Sequence, residues 1–97
     1  VKETEIRNFL HENGWQPTGQ GNFKITQKFA RNRKARAKIR NLRVKFSENL
    51  VELEIQSLFD TSWMRVAKAK PDDIMHTRRG IVIGGTELLD QAAVKNI

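Results

Sequence analysis

From Asn13 to Ser47 the chain has no aspartate or glutamate, and it has no cysteine anywhere. The missing cysteines exclude disulfides and thiolate metal sites, and they suit a reducing, intracellular compartment. No apolar run approaches the roughly 20 residues of a membrane-spanning helix, and no signal-peptide pattern opens the chain. The expectation is a soluble protein, cytoplasmic or nucleoid-associated, with no membrane partner. The first residue is Val1 rather than methionine, which suits a trimmed chain or a piece of a longer one, so arguments from the termini carry little weight. His, Asp and Glu nowhere cluster at metal-ligand spacing, so neither a metal nor a cofactor is expected.

The acid-free stretch is not charge-free. It holds Lys24, Lys28, Arg31, Arg33, Lys34, Arg36, Lys38, Arg40, Arg43 and Lys45. The chain has 18 basic and 11 acidic residues for a net charge of +7, and ten of the basic ones lie here, so the remainder has 8 cations against 11 acids, a net −3. The basicity is therefore local. Such a block repels itself unless a polyanion neutralises it, and natural surfaces normally mix the two signs. A solvated charged face is the bland reading, and an acidic partner, most often nucleic acid, is the functional one. No aromatic residue lies between Phe29 and Phe46, so the block lacks a base-stacking platform. That favours a duplex phosphate backbone, with DNA slightly ahead of structured RNA.

With 97 residues and 38% hydrophobic composition, the chain is expected to build one modest core in a single domain over residues 1–97. Ile6, Phe9 and Leu10 fall three and four apart, Gly14 follows as a stop signal and Thr4 is a plausible cap, which predicts an N-terminal helix. Two glycines within Thr18 to Asn22 predict a mobile loop. The basic block itself reads two ways. As a helix it shows a narrow stripe of Ala35, Ile39, Leu42 and Phe46. As a hairpin it sets Phe46, Val44 and Leu42 against Val51, Leu53 and Ile55, with Lys45 against Glu52 and Arg43 against Glu54 on the other face. Five matched facing pairs, each contributing about 0.2–1 kcal/mol, decide for the hairpin, with a turn through Ser47, Glu48, Asn49 and Leu50.

Extending the ladder upstream around Asn32 and Arg33 pairs Phe29 with Ala35, Lys28 with Arg36, Thr26 with Lys38, Ile25 with Ile39 and Lys24 with Arg40. The inward face then changes parity, which requires a bulge near Asn41. Further on, Trp63 to Ala69 reads as a strand with blurred alternation, Pro71 to Gly80 as a short helix, and Ile81 to Ile83 as a buried strand. Thr86 is expected to cap a final helix that buries Leu88, Leu89, Ala92 and Ala93. The architecture expected is α+β, an antiparallel meander of three to five strands packed on N-terminal and C-terminal helices, with a basic outer sheet face.

Other candidate sites have plain structural readings. Trp15 and Phe23 could stack on a base, but large aromatics commonly roof a small core, and Trp63 is expected in the core as well. His76 with Arg78 and Arg79 could cleave a phosphodiester, the imidazole moving protons and the guanidiniums stabilising charge; the helix dipole explains the same cations without chemistry. Gly80, Gly84 and Gly85 match neither the dinucleotide nor the nucleoside-triphosphate loop. The function expected is non-catalytic nucleic-acid binding through phosphate contacts from Lys24, Lys28, Arg31, Arg33, Lys34, Arg36, Lys38 and Arg40. Its rivals are a small ribonuclease of the kind found among bacterial growth-arresting toxins, by fold-level analogy alone, and an interaction module docking on an acidic protein.

Overall fold

In the computed structural model of the chain, residues 1–26, 39–57, 61–89 and 94–95 are described. Helix α1 spans Glu3–Glu12 and buries Ile6, Phe9 and Leu10 on one face. Glu3 and Glu5 occupy its first turn, where they favour the positive end of the helix dipole. The N-cap position falls to Lys2, which makes no side-chain cap bond, so Thr4 is not the cap but lies within the helix. At the other end Gly14 adopts φ +86°. The Trp15 amide donates to the Leu10 carbonyl at 3.0 Å and the Gly14 amide to that of His11 at 3.4 Å. This paired closure turns the chain back and drops Trp15 onto Leu10, both of them buried.

Five strands form an antiparallel sheet in sequence order: β1 (Gln16–Pro17), β2 (Phe23–Thr26), β3 (Ile39–Ser47), β4 (Leu50–Ser57) and β5 (Trp63–Ala69). The β3–β4 register is the one its side chains imply, with Phe46 opposite Val51, Val44 opposite Leu53, Leu42 opposite Ile55, Lys45 opposite Glu52 and Arg43 opposite Glu54. Asn49 turns the hairpin at φ +55°, a conformation asparagine tolerates well. The irregularity between Ile39 and Asn41 lies where the change of parity requires it.

The β2–β3 register differs from expectation by three residues. Ile25 pairs with Leu42 rather than Ile39, Lys24 with Arg43 rather than Arg40, and Thr26 with Asn41 rather than Lys38. Pairing beyond the bulge sets Phe23 and Ile25 against Val44 and Leu42, all four buried. The expected pairs of Phe29 with Ala35 and Lys28 with Arg36 lie outside the described residues. The loop from Thr18 to Asn22 is closed by hydrogen bonds. The Thr18 amide donates to the Asn22 carbonyl at 2.8 Å, and the buried Asn22 side chain accepts from the Phe46 amide at 2.9 Å. Arg7 of α1 donates to the Gly21 carbonyl and lies 4.0 Å over the Phe46 ring, joining helix, turn and sheet.

The C-terminal part departs further from expectation. Within Pro71 to Gly80 the helical part is Pro71–Asp73, one 3-10 turn, and β6 (Met75–His76) follows. The Thr77 hydroxyl accepts from the Arg79 and Gly80 amides and so closes a tight turn into β7 (Gly80–Ile83). Residues Thr86–Leu89 form strand β8 and not the start of a helix; Ala92 and Ala93 lie outside the described residues. The cause is the Gly84-Gly85 pair, at φ +51° and +88°. Two successive left-handed residues between paired Ile83 and Thr86 make a two-residue hairpin turn whose twist suits the flanking strands. With β9 (Val94–Lys95) these strands form a second antiparallel sheet in the order β6-β7-β8-β9.

One hydrophobic cluster joins α1 (Ile6, Phe9, Leu10), the inner face of the large sheet (Phe23, Ile25, Leu42, Val44, Val51, Leu53, Ala67) and the small sheet (Ile81, Ile83, Leu88), with Trp15 and Ile74. No helix among the described residues is long and apolar enough to cross a membrane. The small sheet approaches β5 at Gly84, where an added Cβ would lie 2.7 Å from the Lys68 carbonyl oxygen. Gly84→Ala should therefore lower stability by about 2–4 kcal/mol, from backbone clash and positive φ together. Gly85→Ala, whose Cβ meets open space, should cost only about 1–2 kcal/mol. Chemical denaturation of the two variants compares them, and equal losses would mean that the β5 contact carries no weight.

Candidate functional site

Two of the eight cations expected to make phosphate contacts are described. Lys24 is partly buried in β2, and Arg40 is exposed at the β3 irregularity. Lys28, Arg31, Arg33, Lys34, Arg36 and Lys38 lie outside the described residues. Around Lys24 the strands assemble a surface that the linear sequence scatters. One row across the sheet runs Lys24, Arg43, Glu54, Arg65, and the next carries Lys45, Glu52, Lys68. Both rows lie on the face opposite Val44, Leu53 and Ala67, because side chains alternate along a strand.

The two carboxylates on this face are engaged. Arg43 reaches Glu54 Oε1 from Nε at 2.8 Å and from Nη2 at 2.6 Å. Glu52 accepts from Arg65 Nη1 at 3.4 Å and from the Ser47 hydroxyl at 3.3 Å. Lys45 thus faces Glu52 in register, and the carboxylate bonds to Arg65 of β5 and to Ser47 at the end of β3. The acidic side chains are the covered members of their pairs: Glu54 is 12% exposed against 24% for Arg43, and Glu52 15% against 49% for Arg65. The guanidinium groups make up the outer layer.

Trp63 is the main correction on this face. Expected in the core, it pairs with Gln56 on the outer side and remains partly exposed, with Arg43 Cζ 4.1 Å from its ring centroid. Beside it Asn41 Nδ2 donates to Gln56 Oε1 at 2.7 Å and Gln56 Nε2 to the Thr61 carbonyl at 2.8 Å. The blurred alternation of Trp63 to Ala69 has a structural cause: Ala67 pairs with Leu53 but Arg65 with Glu54, leaving Val66 as an extra residue. The irregularity turns Trp63, Arg65 and Lys68 to the outer face and Ala67 to the core. Reading a bulge into that blur would have found all three. Trp15 and Phe23 are buried.

The residues of the candidate catalytic constellation line two hollows. His76 lines a hollow of about 320 Å³ with Glu5, Asn8 and Glu12, its ring 6.1 Å from that of Phe9. Arg78 and Arg79 line a different hollow with Thr77, Val82 and Glu87. Among the described residues no three His, Asp or Glu side chains gather as a metal would require. Comparison with protein-family models, curated proteins and solved structures finds no match to this chain.

The pairing geometry ranks the two ion pairs. In double-mutant cycles with neutral amides or alanine, Arg43–Glu54 should show a coupling of about 1–2 kcal/mol, and the more exposed Arg65–Glu52 pair no more than about 0.5 kcal/mol. Equal couplings measured by denaturant unfolding would contradict the view that the Arg43 pair is the structural one.

Proposed function

We propose that this chain binds nucleic acid without catalysis, through phosphate contacts from Lys24, Lys28, Arg31, Arg33, Lys34, Arg36, Lys38 and Arg40, and acts inside the cell, in the cytoplasm or on the nucleoid. The observation that carries this reading is the run of ten cations between Glu12 and Glu48 with no acid among them. The geometry of the outer face supports it. Glu52 and Glu54 are bonded to Arg65, Ser47 and Arg43, so these two acids are engaged on the described part of the sheet. The described rows carry five cations and two acids, which supports a basic outer face whose repulsion polyanion binding would relieve.

Phosphate contacts orient a protein on its ligand but do not read base identity. The aromatic-free tract fits a duplex backbone, with DNA ahead of structured RNA. An acidic protein would meet the same charge, and it becomes the better reading if no nucleic acid binds at low salt. RNA cleavage abolished by His76→Ala would instead make the chain a ribonuclease.

Electrophoretic mobility assays with duplex DNA, single-stranded DNA and structured RNA at several salt concentrations test the proposal. With about four to six phosphates neutralised, the logarithm of affinity for duplex DNA should fall against the logarithm of salt with a slope of roughly −4 to −5. Changing Arg33 and Lys34 together to alanine should flatten the slope by about one to two units and weaken unrelated sequences alike. A slope near zero would remove phosphate contact as the source of binding.

A further inference from the structure

We infer that the Arg43–Trp63 stack on the outer face of the large sheet seats one unpaired nucleobase, so that the nucleic acid is single-stranded where it crosses β3 to β5. This rests on the nucleic-acid reading above and specifies it. Trp63 and Arg43 are separated by β4, and their side chains meet across it, the guanidinium carbon 4.1 Å from the indole centroid. Two bonds to Glu54 Oε1, at 2.8 and 2.6 Å, fix the guanidinium edge. A guanidinium held at its edge and seated over an indole is preorganised and loses little freedom when a base packs against the pair.

The surroundings match a nucleotide. Trp15 and Phe23 are buried in the core, whereas Trp63 stays partly exposed among Arg43, Asn41 and Gln56. Stacking a base there removes apolar ring surface from water and adds the attraction of guanidinium for a π-face. Lys24 lies one strand from Arg43 and Arg65 two strands away on the other side, roughly 5 and 10 Å at the usual strand spacing, within reach of the phosphates on either side of a stacked base. The duplex preference drawn from the aromatic-free tract then applies to the tract, not to this face.

The test compares the intact chain on a short oligothymidylate and on an abasic strand of the same length and charge. The base-bearing strand should bind about fivefold tighter or more, the low end of base–aromatic stacking, and should quench tryptophan emission. Trp63→Leu should bring the two affinities together without weakening the abasic strand, and should abolish the quenching, since Trp15 is 1% exposed. Arg43→Lys keeps the charge but not the plane, and should also narrow the ratio. A purely structural Trp63 would lower the melting temperature and leave the ratio alone. Equal binding of both strands by the intact chain, or binding of duplex alone, overturns the stacking seat and leaves the phosphate reading standing. Binding of neither strand nor of duplex overturns both.

Discussion

The pairing of Val44 with Leu53 and of Leu42 with Ile55 sets which face of the large sheet is apolar, and the other layers are arranged on that choice. Side chains alternate with a period of two, so a slip of one residue between β3 and β4 would turn Leu42 and Val44 to solvent or bring Arg43 opposite an apolar partner. With the register as it is, α1 and the small sheet bury their apolar residues in one cluster with Leu42, Val44, Val51 and Leu53. Gly84 can approach the backbone of Lys68 only because it lacks a side chain. The same register puts Glu54 beneath Arg43. Hydrophobic burial and charge pairing thus select one alignment, agreement between levels that favours a unique fold.

That register was legible because each facing pair matches in character, apolar with apolar and acid with base, over five positions. The bulge near Asn41 followed from the change of parity alone. Helix α1 was legible from Ile6, Phe9, Leu10 and Gly14, although its cap was not, since Lys2 holds that position without a side-chain bond. The β2–β3 register was misread by three residues because Ile25 fits Ile39 and Leu42 equally well in hydrophobicity, and nothing local chooses between them. At Gly84-Gly85 the error was one of turn chemistry: two glycines in succession between apolar residues mark a hairpin, and the short apolar pattern after Thr86 suits strand and helix alike. Pro71 to Gly80 looked helical from its charges, but burial of Ile74 and the Thr77 turn shape it instead.

The candidate site was half legible. Its charge could be counted in the sequence, but its composition could not. Arg65, Lys68 and Trp63 join Lys24, Arg43 and Lys45 only because β5 pairs with β4 and shifts at Val66. The carboxylates Glu52 and Glu54 are drawn into ion pairs that leave arginine outermost. On the described rows five cations face two acids, and both acids are the covered members of their pairs. Between Lys24 and Arg40 the sequence itself contains no acid.

The central claim is the proposal that the cationic run binds a polyanion, which relieves the repulsion within it. The most direct measurement is the melting temperature of the intact chain at low ionic strength, taken with increasing amounts of a short nucleic-acid duplex. A ligand that binds only the folded state raises stability as its concentration exceeds Kd, so the melting temperature should climb steadily with added duplex and return toward the value of the protein alone as salt is added. A melting temperature indifferent to duplex at low salt would contradict the account.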